Sequence, residues 1–252
     1  MYERFHIIGL HVHSLSFKES LDTISEWGLQ HRPGFVCFAN VHMTIEAYND
    51  PSFKNELDKA SLVLPDGKPL SLATRWLYRK QQERIAGMDF MPAILERASA
   101  LSAKIFLYGS TEEVLNKLTG LINTQYPGVM VAGAISPPFR PLTDAEKLAD
   151  IQRINDSGAH FVLVALGCPK QEKWMAASST AINAPLLGLG GAFPVMAGVR
   201  KRSPRWMQQL SLEWLYRLLQ EPRRMFKRYL YTNSLFIWLL LKALIQQRFR
   251  KP

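Results

Sequence analysis

Cysteine is nearly absent from this chain. There are two in 252 residues, Cys37 and Cys168, each inside an apolar run and neither in a C-x-x-C pair or a metal-ligand spacing. That excludes a disulfide-stapled fold and reads as free thiols buried in a reducing compartment. Long hydrophobic runs are also missing. The longest near the C-terminus, Leu235 to Leu241, spans seven residues and is followed by Lys242, far short of the ~20 apolar residues a bilayer-spanning helix needs. No basic segment leads into an apolar stretch at the N-terminus, so no secretory signal is expected and the protein reads as cytoplasmic. No Asp-x-Asp occurs, so the carboxylate pair often used to hold a divalent ion against a nucleotide diphosphate is lacking. Any diphosphate chemistry would then fall to cationic side chains.

Acidic residues are scarce in one region only. From Arg200 to the end there are 13 basic residues and two acidic ones, while the preceding chain holds 18 basic and 19 acidic. A near-neutral body therefore carries a cationic tail, with the boundary set at residues 1–199 and 200–252. Hydrophobic residues make up 47% and charged residues 21%, which suits a globular domain with a sizeable core.

Short apolar runs bounded by Gly, Pro or Asn recur along the body: Phe5 to Val12, Phe35 to Ala39, Ser61 to Leu64, Lys104 to Tyr108, Val129 to Ala132, Phe161 to Leu166 and Pro185 to Leu189. Amphipathic segments with helix-start signals lie between them, among them the capping boxes opened by Ser16 and Thr143. Strands apolar throughout, alternating with helices, predict a mostly parallel, Rossmann-like α/β sheet covered by helices on both faces. In such sheets ligands gather beyond the carboxyl ends of the strands. The segments to inspect are therefore those at Asn40 and His42, Asp66-Gly67, Gly109-Ser110, and Gly167 to Glu172. Gly188-Leu189-Gly190-Gly191 is glycine-rich but fits neither G-x-G-x-x-G nor a Walker A loop.

Asp66 is the leading carboxylate, because it follows Leu62-Val63-Leu64-Pro65 and would project at the ligand edge as a general base. The competing reading makes it a turn residue or the cap of a helix starting at Lys68. His11 and His13 share a strand face but have no third ligand in register, so they read as structural or exposed. In the tail, Trp206, Leu210 and Trp214 recur every four residues after Pro204 and predict one amphipathic helix, with a second starting near Pro222. Trp and Leu interleaved with Lys and Arg suit an interfacial helix on an anionic membrane, each cation contributing about 1 kcal/mol near the surface. The alternative is that these apolar residues pack on the body or in an oligomer interface. No nucleic-acid motif appears, and nucleic acid is not an expected partner.

Leu64-Pro65-Asp66-Gly67, Gly167 to Trp174 and Glu213 to Arg224 together resemble the motifs of the WecG/TagA/CpsF family of bacterial glycosyltransferases, in the same order. Weaker similarity at Ala86-Gly87-Met88-Asp89 and from Ala197 to Trp206 extends the resemblance over most of the chain. It implies an inverting, metal-independent transferase without a cofactor. Such an enzyme moves a sugar from a UDP-sugar to a saccharide on a polyprenyl diphosphate in exopolysaccharide, capsule or cell-wall glycan synthesis, held peripherally at the inner face of the bacterial cell membrane. Asp66 maps to the family's proposed base, and Arg217, Arg224 and Lys227 to basic residues over the donor diphosphate. Asn40, Asp89, Gly109, Lys170, Gln171 and Glu172 are the accompanying substrate-binding candidates. A homo-oligomer is compatible with this reading. Three positions depart from the family: Phe38 where Thr is common, Pro194 where an Asp is usual, and Lys227 where Arg is common, which keeps the charge but loses the bidentate fork. A catalytically silent membrane-associated module on the same scaffold is the alternative that the first two departures would produce.

Overall fold

The computed structural model describes residues 2–209 and 212–249, without the side chains of Gln209, Arg224 and Arg248. The first apolar run does not form one strand. Ile8 takes a φ of 57°, and the chain folds back so that β1 (Arg4–Ile7) and β2 (Leu10–His13) pair antiparallel as a separate hairpin. Gly9 allows this, because a Cβ there would lie 2.5 Å from the backbone nitrogen of Tyr48. The expected strand over Phe5 to Val12 is therefore two.

The remaining strands fall where continuous apolar runs predict them. After α1 (Phe17–Leu29) come β3 (Gly34–Ala39), α2 (Val41–Asn49), α3 (Pro51–Leu57), β4 (Leu62–Pro65), α4 (Lys68–Tyr78), α5 (Gly87–Ala100), β5 (Lys104–Gly109), α6 (Glu112–Gln125) and β6 (Met130–Ile135). Then follow α7 (Asp144–Asp156), β7 (Phe161–Ala165), α8 (Lys170–Ser178), β8 (Pro185–Gly188) and α9 (Ala192–Met196). Both expected capping boxes form, Ser16 with Glu19 on α1 and Thr143 with Glu146 on α7. The six strands β3 to β8 make one parallel sheet in the order β4-β3-β8-β7-β5-β6.

Every residue of β4, β7 and β8 is buried, as helices on both faces require. One layer packs Phe35, Cys37, Val63 and Val164 against Phe53, Leu70 and Met175, and the other packs Val36, Leu64, Leu107 and Leu187 against Phe90, Ile94 and Leu118. Each such side chain, fully buried, contributes roughly 1.5–3 kcal/mol. The outer edge of β4 is closed by the hairpin, where buried His13 accepts the Val63 N–H at Nδ1 (2.9 Å). Burial pulls the His13 pKa down to about 4, which keeps the ring neutral and able to accept. His11 instead meets Asp58 at 3.0 Å.

The tail differs from expectation in one respect. The single helix expected after Pro204 is two pieces, α10 (Arg205–Gln209) and α11 (Glu213–Gln220), with Leu210 and Ser211 outside the described residues. The second expected helix, α12 (Pro222–Phe249), forms and begins on its proline, the favoured first-turn position. Its two faces divide the readings drawn from sequence. Phe236, Leu239 and Leu240 are buried and join the core layer beside α2 and α4. Phe226, Leu230, Ile237, Trp238, Leu241 and Ile245 are exposed and, at 3.6 residues per turn, fill an arc of about 120° on the opposite side. Among the described residues no helix is long and apolar enough to cross a membrane.

Candidate active site at the carboxyl ends of the strands

Parallel pairing carries the loops after β4, β3, β8, β7 and β5 to one edge of the sheet. Ala39 pairs with Pro65, so Asn40 and Asp66 leave adjacent strands together, tied by the Asp66 N–H donating to the Ala39 carbonyl at 2.6 Å. Asn40 caps α2, its Oδ1 accepting from the Met43 N–H at 3.2 Å. Asp66 does not cap α4: Gly67 takes the cap position with a φ of 127° and no side-chain bond. The competing reading of Asp66 as a helix cap is thereby removed.

Asp66 keeps part of its surface, yet its carboxyl is enclosed by protein. Desolvation pushes its pKa up to about 7, against the pull of Arg84, with Glu213 adding to the rise and Arg217 and the Gly87 N–H opposing it. A carboxylate poised near neutrality and facing cations has the properties of a general base.

The cations arrive from two places. Arg84, in the loop before α5, donates from Nη1 to Glu213 of α11 at 2.5 Å and from Nη2 to Asp89 at 2.8 Å. Asp89 also accepts from Arg202, so both of its oxygens are occupied by guanidinium groups. It holds cations rather than presenting a free carboxylate. Arg217, one turn after Glu213, lies over Gly191, where an added Cβ would sit 2.6 Å from Nη2. The glycine-rich end of β8 is thus explained by its neighbours: Cβ atoms on Gly188 and Gly190 would lie 2.6 and 2.7 Å from the Gln171 amide. Gln171 is buried, accepts the Gly190 N–H at 3.1 Å and donates to Glu172 at 3.0 Å. Glu172 is buried as well, its pKa raised by desolvation, with Oε2 lacking a partner.

The structure thus brings Asn40, Asp66, Asp89, Gln171, Glu172 and Arg217 to one edge. Gly109 ends β5, four strands from β4, roughly 19 Å away at ~4.8 Å per strand; its φ of 101° and the Ala165 backbone 2.5 Å from a would-be Cβ account for the glycine. Lys170 and Lys227 are exposed, with no ion pair among the described residues, and the Arg224 side chain lies outside them. Phe38 is buried against Phe90 (ring centroids 5.0 Å). Pro194 lies within α9, its carbonyl accepting the Arg200 N–H. His42 faces α12, where burial and the charge of Arg228 pull its pKa down to about 4. Among the described residues no three His, Cys, Asp or Glu side chains gather where they could hold a metal ion. Sequence reasoning missed Arg84 and Glu213. The one available signal was that Glu213 is one of only two acids in the tail.

Fold and site together describe an α/β protein that gathers a carboxyl and several cations at the carboxyl ends of its parallel strands. Residues 5–250 match the glycosyl transferase WecG/TagA/CpsF family. Two similar proteins, both named N-acetylglucosaminyldiphosphoundecaprenol N-acetyl-beta-D-mannosaminyltransferase, come from Bacillus. That of Bacillus subtilis (strain 168) is 35% identical over 190 residues, 75% of this chain and 72% of the relative. That of Bacillus spizizenii (strain ATCC 23059 / NRRL B-14472 / W23) is 32% identical over 196 residues, 77% of this chain and 74% of the relative. The chain belongs to the WecG/TagA/CpsF family and is a glycosyltransferase.

Proposed function

We propose that the protein transfers a sugar, with inversion and without a metal ion, from a UDP-sugar to a saccharide carried on a polyprenyl diphosphate, in exopolysaccharide, capsule or cell-wall glycan synthesis. The observation that carries this reading is the enclosed Asp66 carboxyl, poised near pH 7 between Arg84 and Arg217. Asp66 takes the proton of the acceptor hydroxyl as that oxygen forms a bond to the anomeric carbon. The bond from that carbon to the donor phosphate oxygen breaks on the opposite face, and UDP leaves. Charge builds on the departing diphosphate, and Arg217, with Arg224 and Lys227 from the start of α12, meets it. Gln171 positions the Gly190 backbone beneath, while Asn40 and Glu172 line the same edge. Asp89 fixes Arg84, and Gly109 and Lys170 lie toward the far end of the donor.

The exposed apolar arc of α12, with Arg223 and Lys242 on or beside it, suits peripheral contact with an anionic membrane at its inner face. The relatives' names supply the first compounds to try. The test is UDP release from a panel of UDP-sugars, UDP-N-acetylmannosamine among them, with an N-acetylglucosaminyl polyprenyl diphosphate. Acceptor-dependent release by the wild type and its loss in Asp66→Asn support the reading; equal rates in both would refute it.

A further inference from the structure

A cleft of about 630 Å³ opens between α4, the loop that joins it to α5, and α10. Four cations line it, Lys68, Arg75, Arg84 and Arg205, and no carboxylate does. Arg84 is neutralised by Glu213 and Asp89. Lys68, Arg75 and Arg205 have no ion pair among the described residues. Cations around one cavity without counter-ions fit a wall whose partner is an anion. The volume falls in the range that holds a small ligand.

Position narrows the ligand. Lys68, in the cleft wall, opens α4 two residues after Asp66, and Arg84, also in the wall, acts on the Asp66 charge. Arg217 stands over Gly191 at the end of β8, two strands away, roughly 10 Å at ~4.8 Å per strand. A transfer between two diphosphate-bearing molecules needs two anion sites with the base between them, because one set of cations cannot neutralise both diphosphates at once. Arg84, charged toward Asp66 and lining the cleft, stands at the boundary. Trp76 and Trp206, the sequence neighbours of Arg75 and Arg205, are 52% and 57% exposed, and indole side chains suit the boundary between phosphate headgroups and hydrocarbon.

We propose that this cleft binds the diphosphate of the lipid-linked acceptor, with Lys68, Arg75 and Arg205 as its ligands. The proposal rests on the glycosyl-transfer reading above and extends it to a second subsite.

The experiment uses the full chain as wild type, Arg75→Glu, and Arg75→Glu with Arg205→Glu. Calorimetry measures binding of farnesyl diphosphate and, separately, of UDP, and steady-state transfer is followed to a farnesyl-diphosphate-linked N-acetylglucosamine. Farnesyl diphosphate should bind the single variant at least tenfold more weakly, and the double variant more weakly still. Acceptor KM should rise in step, while UDP affinity and donor KM stay within twofold. Unchanged farnesyl diphosphate binding would overturn the proposal, as would an equal loss of UDP binding, which would assign the cleft to the donor. A wild type that transfers no sugar but binds farnesyl diphosphate in this charge-dependent way keeps the subsite and removes the reaction. A wild type that transfers normally, with variants unchanged in acceptor KM, keeps the reaction and removes the subsite.

Discussion

Replacing Asp66 by Asn should remove activity and at the same time stabilise the protein above neutral pH. The ordinary carboxyl pKa of ~3.9 in an unfolded chain becomes about 7 in the fold, chiefly through desolvation. Between those values the native protein holds a proton that the unfolded chain has released, so stability falls as pH rises through this window and levels off above pH 7. Three pK units at 1.36 kcal/mol each bring the loss to ~4 kcal/mol at pH 8. The substituted amide would carry no charge to desolvate and could still accept the Gly87 N–H. The variant should therefore match the wild type near pH 4 and exceed it by up to ~4 kcal/mol at pH 8, or ~10 °C in Tm for a chain of this size. Losing a general base should lower kcat by ~10²–10⁴-fold. Urea titrations at the two pH values and UDP release at pH 8 check both halves. A variant no more stable than the wild type at pH 8 refutes the desolvated carboxyl, and one with undiminished turnover refutes the base.

Arg217→Ala should lower kcat by ~10²–10³-fold, the usual effect of removing one group that meets charge in a transition state, with Arg217→Lys intermediate in the same UDP-release assay. Glu213→Gln removes a charge that raises the Asp66 pKa, so the acid limb of the pH–rate profile should move to lower pH. Gly109→Ala sets a Cβ against the Ala165 backbone at a φ of 101° and should lose ~1–3 kcal/mol, whereas Gly191→Ala meets only the far end of the Arg217 side chain and should lower kcat with Tm nearly unchanged. Trp238→Glu, on the exposed arc of α12, should weaken sedimentation with vesicles containing phosphatidylglycerol several-fold and leave Tm within roughly 2 °C, as expected of a surface change.

Most of the sheet could be read directly because a parallel strand covered on both faces is apolar at nearly every position, and runs such as Phe161 to Leu166 have no other use for that pattern, whereas β6 lies at the sheet edge without a buried residue. The hairpin escaped because its turn rests on Ile8 at a φ of 57°, a β-branched residue that gives no turn signal. The break in the tail helix escaped for a related reason: Trp206, Leu210 and Trp214 fit one helix, and no Gly or Pro interrupts them. Asp66 was legible from its place after β4, but that it would not cap α4 was not, since the cap position fell to Gly67. The role of Gly188 to Gly191 needed the third dimension, because what each glycine makes room for, Gln171 or Arg217, is distant in sequence.

Two ion pairs fasten the cationic tail beside the site, Arg202 with Asp89 and Glu213 with Arg84. Glu213 pairs with Arg84 across 129 positions of sequence, and Arg217, four residues on, shares its helix face and reaches Gly191. The same contact bears on the base. With the tail docked, Glu213 raises the Asp66 pKa against Arg84, and the enclosure raises it further. Removing the Glu213 charge would leave Arg84 paired with Asp89 alone and take away one cause of the raised Asp66 pKa. If Asp66 is the base and Arg217 meets the leaving group, as proposed above, the Glu213–Arg84 pair bears on both proton abstraction and leaving-group stabilisation.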